Sequence, residues 1–294
     1  MPHRWSIAMI LFGIAALASP RAEAAPCEAH EIGFGVAAPE ALRAGVSHAE
    51  LVDAIASAIR DTLGLPFAKA HKAYICGDEA AFTEELFRNL GVSAVSGDWR
   101  IVPSAAGIAT RIGVFLRGDY LSRANLHTRV TVVAHELAHL SQQELAGSRE
   151  SRLPVWMLEG HADWVAYQVL HRLRLRTYGE SRAIVGRSVA GAVTPVEHFP
   201  DLDALAAHAT WNRSVRSVPA TYGQAFLAVE FLIDRSSHSA LMKFLGSAVA
   251  DDFRERWAET FSTSYSQFAE DFRAYLKTVG RPATGLTIDP MPRP

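Results

Sequence analysis

His135 and His139 enclose a glutamate in the run His135-Glu136-Leu137-Ala138-His139. On a helix, residues four apart share one face a turn from each other. Both imidazoles can therefore reach one zinc ion, while Glu136 faces water beside it. Val130, Val132, Val133, Leu137 and Leu140 give this stretch the apolar side that an amphipathic helix needs. The chain has twelve histidines in 294 residues, and for such a composition H-E-x-x-H is expected by chance about 0.03 times. The spacing carries the information, not the histidine content.

A catalytic zinc takes three protein ligands and keeps one position open. The third ligand is expected in the segment Leu153-Pro154-Val155-Trp156-Met157-Leu158-Glu159-Gly160-His161-Ala162-Asp163-Trp164. Glu159 follows His139 at a distance that lets one helix end, turn and return with another. Pro154 suits the start of that second helix. Leu158, Ala162, Val165, Val169 and Leu173 form its apolar stripe, leaving Glu159 and Asp163 one turn apart on an adjacent face. Asp163 is thus positioned to accept a hydrogen bond from the free ring nitrogen of a ligand histidine, which fixes the tautomer.

H-E-x-x-H followed by a glutamate in a W-x-x-E-G-x-A-[DE] helix resembles the gluzincins, the thermolysin-like and aminopeptidase-like zinc peptidases. The resemblance covers roughly residues 125–175. It implies zinc ligation by His135, His139 and Glu159, Glu136 as general base, and Asp163 as the support of His135. A third histidine closely following, as in metzincins, is not found, since position 145 is Leu. In the aminopeptidase-like branch a tyrosine opening a later helix stabilises the oxyanion, and Tyr222 in Thr221–Phe226 is the matching residue. The family's Tyr-x-Lys-Gly-Ala is met only in part, with Gln224 in place of the lysine. His161 and His171 are alternative donors. The branch's Gly-x-Met-x-Asn signature for gripping a free amine is absent, so an endopeptidase is favoured over an exopeptidase.

The implied activity is zinc-dependent hydrolysis of a peptide or protein substrate, with Glu136 activating water and Tyr222 donating to the oxyanion. Two other readings stay open: a non-catalytic gluzincin-like binding domain of the cell envelope, or a zinc amidase acting on a non-protein amide.

The elements that must position these residues follow from periodicity. Helices are expected over 48–63, with Leu51, Ile55, Ile59 and Leu63 at helical spacing, and over 79–90 behind Asp78 as cap. Strands are expected over 70–76, 99–103 and 108–116, and Ile112–Leu116 is read as an edge strand for an extended peptide. Further helices are expected over 126–145, 154–176, 202–209, 220–236, 238–249 and 264–278. The fold class is α+β, with a small α/β part over 25–120 and a mainly helical zincin-like half over 121–280. These form one domain, 25–280, with the active-site cleft between the halves. The four prolines of 281–294 mark a loose tail.

Arg4, the apolar run Ser6–Ala18 and Ala22-Glu23-Ala24 make residues 1–24 a signal peptide, implying a secreted or periplasmic protein. No later segment has 18 uninterrupted apolar residues, so no membrane span is expected in the mature chain. Cys27 and Cys76 both lie in the exported part, and a bond between them is expected there. The formal charge of −2 gives no basic field for nucleic acid, and a hydrophobic share of 49% excludes a disordered chain.

Overall fold

The computed structural model describes residues 26–279 apart from 36–41, 43–44, 68–69, 91–104 and 248–251. The expected signal peptide 1–24, the strand over 99–103 and the tail 281–294 lie outside the described residues.

Helix α1 (His48–Leu63) has its boundaries in its own sequence. Ser47 accepts from the Glu50 N–H, Glu50 accepts in return from the Ser47 N–H, and Gly64 at φ 65° ends the last turn. Leu51, Ile55 and Ile59 are fully buried. Asp78 caps α2 (Glu79–Leu90), accepting from the Ala81 N–H at 2.8 Å.

The strands β1 (Cys27–Glu31), β2 (Lys72–Cys76), β3 (Gly107–Thr110) and β4 (Gly113–Arg117) form one sheet in the order β1-β2-β4-β3. β1 pairs antiparallel with β2, β2 parallel with β4, and β4 antiparallel with β3. A disulfide joins Cys27 and Cys76, which face each other across β1 and β2. Side chains alternate along β4: Val114 and Leu116 join the main core, whereas Phe115 packs with Phe82 and Leu86 of α2 on the opposite face.

The single strand expected over 108–116 is instead a hairpin that turns at Arg111 and Ile112. Thr110 Oγ1 accepts from the Ile112 N–H at 3.3 Å and donates to the Gly113 carbonyl at 3.1 Å. Gly113 sits at φ 149°, and a Cβ there would overlap the Lys72 carbonyl oxygen. Residues 113–117 are consequently an inner strand, Ile112 is exposed at the tip, and among the described residues the edge strand on that side is β3.

The helical half follows as α3 (Gly118–Arg123), α4 (Leu126–Ala146), a 3₁₀ turn at Gly147–Arg152, α5 (Val155–Arg172), α6 (Tyr178–Ala190) and α7 (His208–Ser217). Then come α8 (Thr221–Arg235), α9 (His238–Gly246), α10 (Phe253–Phe261) and α11 (Tyr265–Leu276). Asn125 caps α4, its Oδ1 accepting from the Thr128 N–H at 3.0 Å. α4 packs along α5, and α5 along α8. Trp156 of α5 is fully buried against Trp257 and Phe268 of α10 and α11. The expected helix 202–209 does not form. Leu202 and Leu205 are buried from a loop whose Leu205 and Ala206 carbonyls accept from the first N–H groups of α5, at Trp156 and Val155. α5 stops at Arg172, short of the expected 176, and Arg174 adopts a left-handed φ of 56°. The chain is thus mixed α+β with a small sheet, and no helix among the described residues is long and apolar enough to cross a membrane.

Candidate metal centre

Two adjacent helices build the site. α4 carries His135, Glu136 and His139 on one face, and α5 carries Glu159 and Asp163 one turn apart. The His135 and His139 Nε2 atoms lie 3.2 Å apart. Glu159 Oε2 stands 3.3 Å from the first and 3.8 Å from the second. The three side chains are 15–18% exposed, so the cluster opens to solvent on one side.

The backs of the two rings fix what their fronts present. His135 Nδ1 donates to Asp163 Oδ1 at 2.9 Å. His139 Nδ1 donates to Gln142 Oε1 at 2.8 Å, and the amide orientation follows from Gln142 Nε2 donating to the Leu158 carbonyl at 2.9 Å. A neutral imidazole holding its proton on Nδ1 has a lone pair on Nε2. Two lone pairs and a carboxylate oxygen therefore converge on one point, a donor set that suits a metal cation. With protons as the only cations, burial alone would lower both histidines, but the outcome is the reverse. Hydrogen bonds to Asp163 and Glu159 hold His135 well above its ordinary value, and Glu159 raises His139 likewise. Glu159 is held below the usual carboxylate range, its bonds to the two imidazoles outweighing burial.

Glu136, next to His135 on α4, lies against β3. Burial pushes its carboxyl up, while His135 and His139 pull against that shift. The Ala109 backbone N–H faces this carboxylate and also pulls against the upward shift. A Cβ on Gly107 would lie 2.7 Å from Glu136 Cγ, so glycine leaves the room that the Glu136 side chain fills.

Tyr222, in the first turn of α8, lies with its ring 6.2 Å from that of His135 and 5.1 Å from that of Trp211. Burial, then the carboxylates of Glu159, Asp163 and Glu136, keep its hydroxyl protonated far above neutrality. α8 reaches this position because Gly160 of α5 faces the Ala225 carbonyl so closely that a Cβ would overlap it.

The structure thus brings together His135, Glu136, His139, Glu159, Asp163 and Tyr222. It does not bring in the two alternative donors. His171 is exposed at the end of α5. His161 is fully buried behind Gln142, because position 161 points α5's side chain into the α4–α9 contact rather than the opening. Gln142, Gly107 and Ala109 belong to the site and were not singled out from sequence. Gln142 follows His139 by one helical turn, which is the signal that could have found it.

No protein-family model, curated protein or solved structure matches this chain.

Proposed function

We propose that the chain is a zinc-dependent peptide-bond hydrolase of the gluzincin type, held by a zincin-like arrangement of β3, α4 and α5. The observation that carries this is the convergence of His135 Nε2, His139 Nε2 and Glu159 Oε2 with both Nδ1 atoms engaged behind. With Zn–N and Zn–O bonds of about 2.0–2.2 Å, neighbouring ligands around tetrahedral zinc stand about 3.3–3.5 Å apart. The separations of 3.2 and 3.3 Å fit that edge length, and 3.8 Å differs by less than a small side-chain adjustment.

Zinc bound by these three residues supplies Lewis-acid polarisation of the scissile carbonyl and acidifies water at the site. Glu136 accepts a proton from the attacking water and returns it to the leaving amine. Its raised proton affinity suits that exchange. Tyr222 donates a hydrogen bond to the developing oxyanion. An extended peptide pairs with β3, the outer strand among the described residues, which passes beside Glu136. That edge takes the role expected of Ile112–Leu116. With no device for a free terminal amine in the sequence, the reading is an endopeptidase. The Cys27–Cys76 disulfide supports a secreted or periplasmic location.

The test is Glu136→Gln, with bound zinc and chelator-sensitive cleavage of a peptide library both measured. The variant is expected to hold one zinc per chain and to lose cleavage. Cleavage at the parent rate would remove Glu136 from its role, and a parent that binds no zinc would overturn the whole reading.

A further inference from the structure

Behind His139 the hydrogen bonds do not stop at Gln142. Gln142 Nε2 also lies 3.0 Å from His161 Nδ1, and His161 Nε2 lies 3.2 Å from His238 Nε2. Gln142 and His161 are both fully buried, while His238 sits at the partly exposed start of α9. Trp164 stacks on His238 with ring centroids 4.4 Å apart and interplanar angle 22°.

Only one arrangement of protons satisfies every partner. The Leu158 carbonyl can only accept, so the Gln142 NH₂ must face it. The other N–H of that NH₂ then points at His161 Nδ1, which must accept and so carries no proton. His161 therefore holds its proton on Nε2 and donates it to His238. The Gln142 Oε1 faces His139 Nδ1, which must be the donor. The Leu158 carbonyl thus fixes Gln142, and Gln142 fixes the proton on each ring beside it, one of them the ring that offers Nε2 to the metal.

We propose that Gln142, His161 and His238 form a polarised hydrogen-bond relay that sets the tautomer of His139. This rests on the metal-centre reading for its purpose, but not for its geometry. Gln142 and His161 are positioning residues: they touch neither substrate nor metal. The relay gives His139 what the Asp163 carboxylate gives His135, without a second buried negative charge beside Glu159. Partners of this kind change metal affinity by about 10–100-fold when removed.

Two measurements on the full chain test the relay. The first is the tautomer of His139 in metal-free protein at alkaline pH, read from two-bond ¹H–¹⁵N correlations. The parent is expected to carry the proton on Nδ1, and Gln142→Leu is expected to shift it largely to Nε2. A proton on Nε2 in the parent, or no change in the variant, overturns the relay. The second is Zn²⁺ affinity by competition with a chromophoric chelator. Gln142→Leu is expected to bind about 10–100-fold more weakly, and His161→Phe to bind more weakly than the parent. His161→Asn is expected to recover parent affinity, because its side-chain oxygen can accept where Nδ1 did. A purely structural His161 would leave Phe and Asn alike, which overturns its part. If the parent binds no Zn²⁺, the metal-centre reading falls, and the tautomer measurement still decides the relay.

Discussion

At the scale of single residues, the proposed hydrolase separates groups that would hold a metal from groups that would act on a substrate. Tyr222 is proposed for the second kind. It is 39% exposed at the opening, its ring stands against His135, and its hydroxyl remains protonated at neutral pH. Tyr222→Phe is expected to lower kcat about 10²–10³-fold while zinc content and KM stay near the parent values. Steady-state kinetics alongside metal analysis checks this, and an unchanged kcat would pass the oxyanion role to another group. His135, Glu136 and His139 were legible because one helical turn fixes their relation, and Glu159 with Asp163 because a second helix repeats that logic. Gln142 shares the same helix, yet its function depends on the Leu158 carbonyl and on His161, whose placement is set by packing between helices. His238 lies 77 residues beyond His161, and no local pattern links the two.

At the scale of elements, most long amphipathic helices could be read from their apolar period, and the start of α2 from its cap Asp78. The failures have physical causes. Thr177 and Glu180 form a capping box that announces α6, but few buried side chains follow it, so periodicity is weak. The β3–β4 hairpin turns at Arg111 and Ile112 with no proline or glycine between its strands' ends, so the break lies inside a stretch that otherwise suits one strand. Two element contacts give predictions. Gly160→Ala inserts a methyl where α5 meets the Ala225 carbonyl of α8, which forces the helices apart. Overpacking of this kind costs about 1–3 kcal/mol, and it also displaces Tyr222. A lowered Tm together with reduced kcat at a temperature where the variant is folded is the expected result. The second contact joins the end of β4 to α3, where Arg117 grips both oxygens of Asp119 at 3.1 and 2.9 Å and Arg123 adds a bond at 2.7 Å. Arg117 holds the Asp119 carboxyl down to about 2, against an ordinary 3.8. A depressed carboxyl stabilises the fold above its unfolded value and loses that contribution as pH falls through its folded one. Asp119→Asn is therefore expected to cost about 2 kcal/mol near neutral pH. The difference from the parent should shrink between about pH 4 and pH 2. Urea unfolding at several pH values reads it, and a pH-independent difference would exclude the ion pair as the cause.

At the scale of the whole molecule, the described residues place two different outer strands at opposite ends of the sheet. β3 lies beside Glu136, and β1 is fastened by a disulfide. In the order β1-β2-β4-β3 the Cys27–Cys76 bond is separated from β3 by β4, and α4 sits against β3 and β4. The bond should therefore act on stability and not on the site. It closes a loop with a sequence separation of 49, for which the chain-entropy model gives about 4 kcal/mol, with measured losses commonly about 2–5 kcal/mol. Replacing both cysteines by serine is expected to lower unfolding free energy by that amount. Zinc content and kcat/KM should stay at parent values at temperatures where the far-UV spectrum is intact. Reducing agent applied to the parent should reproduce the same loss of stability and leave the double variant unaffected. Loss of activity in folded, reduced protein would show instead that β1 transmits its restraint across β2 and β4 to the strand that flanks Glu136.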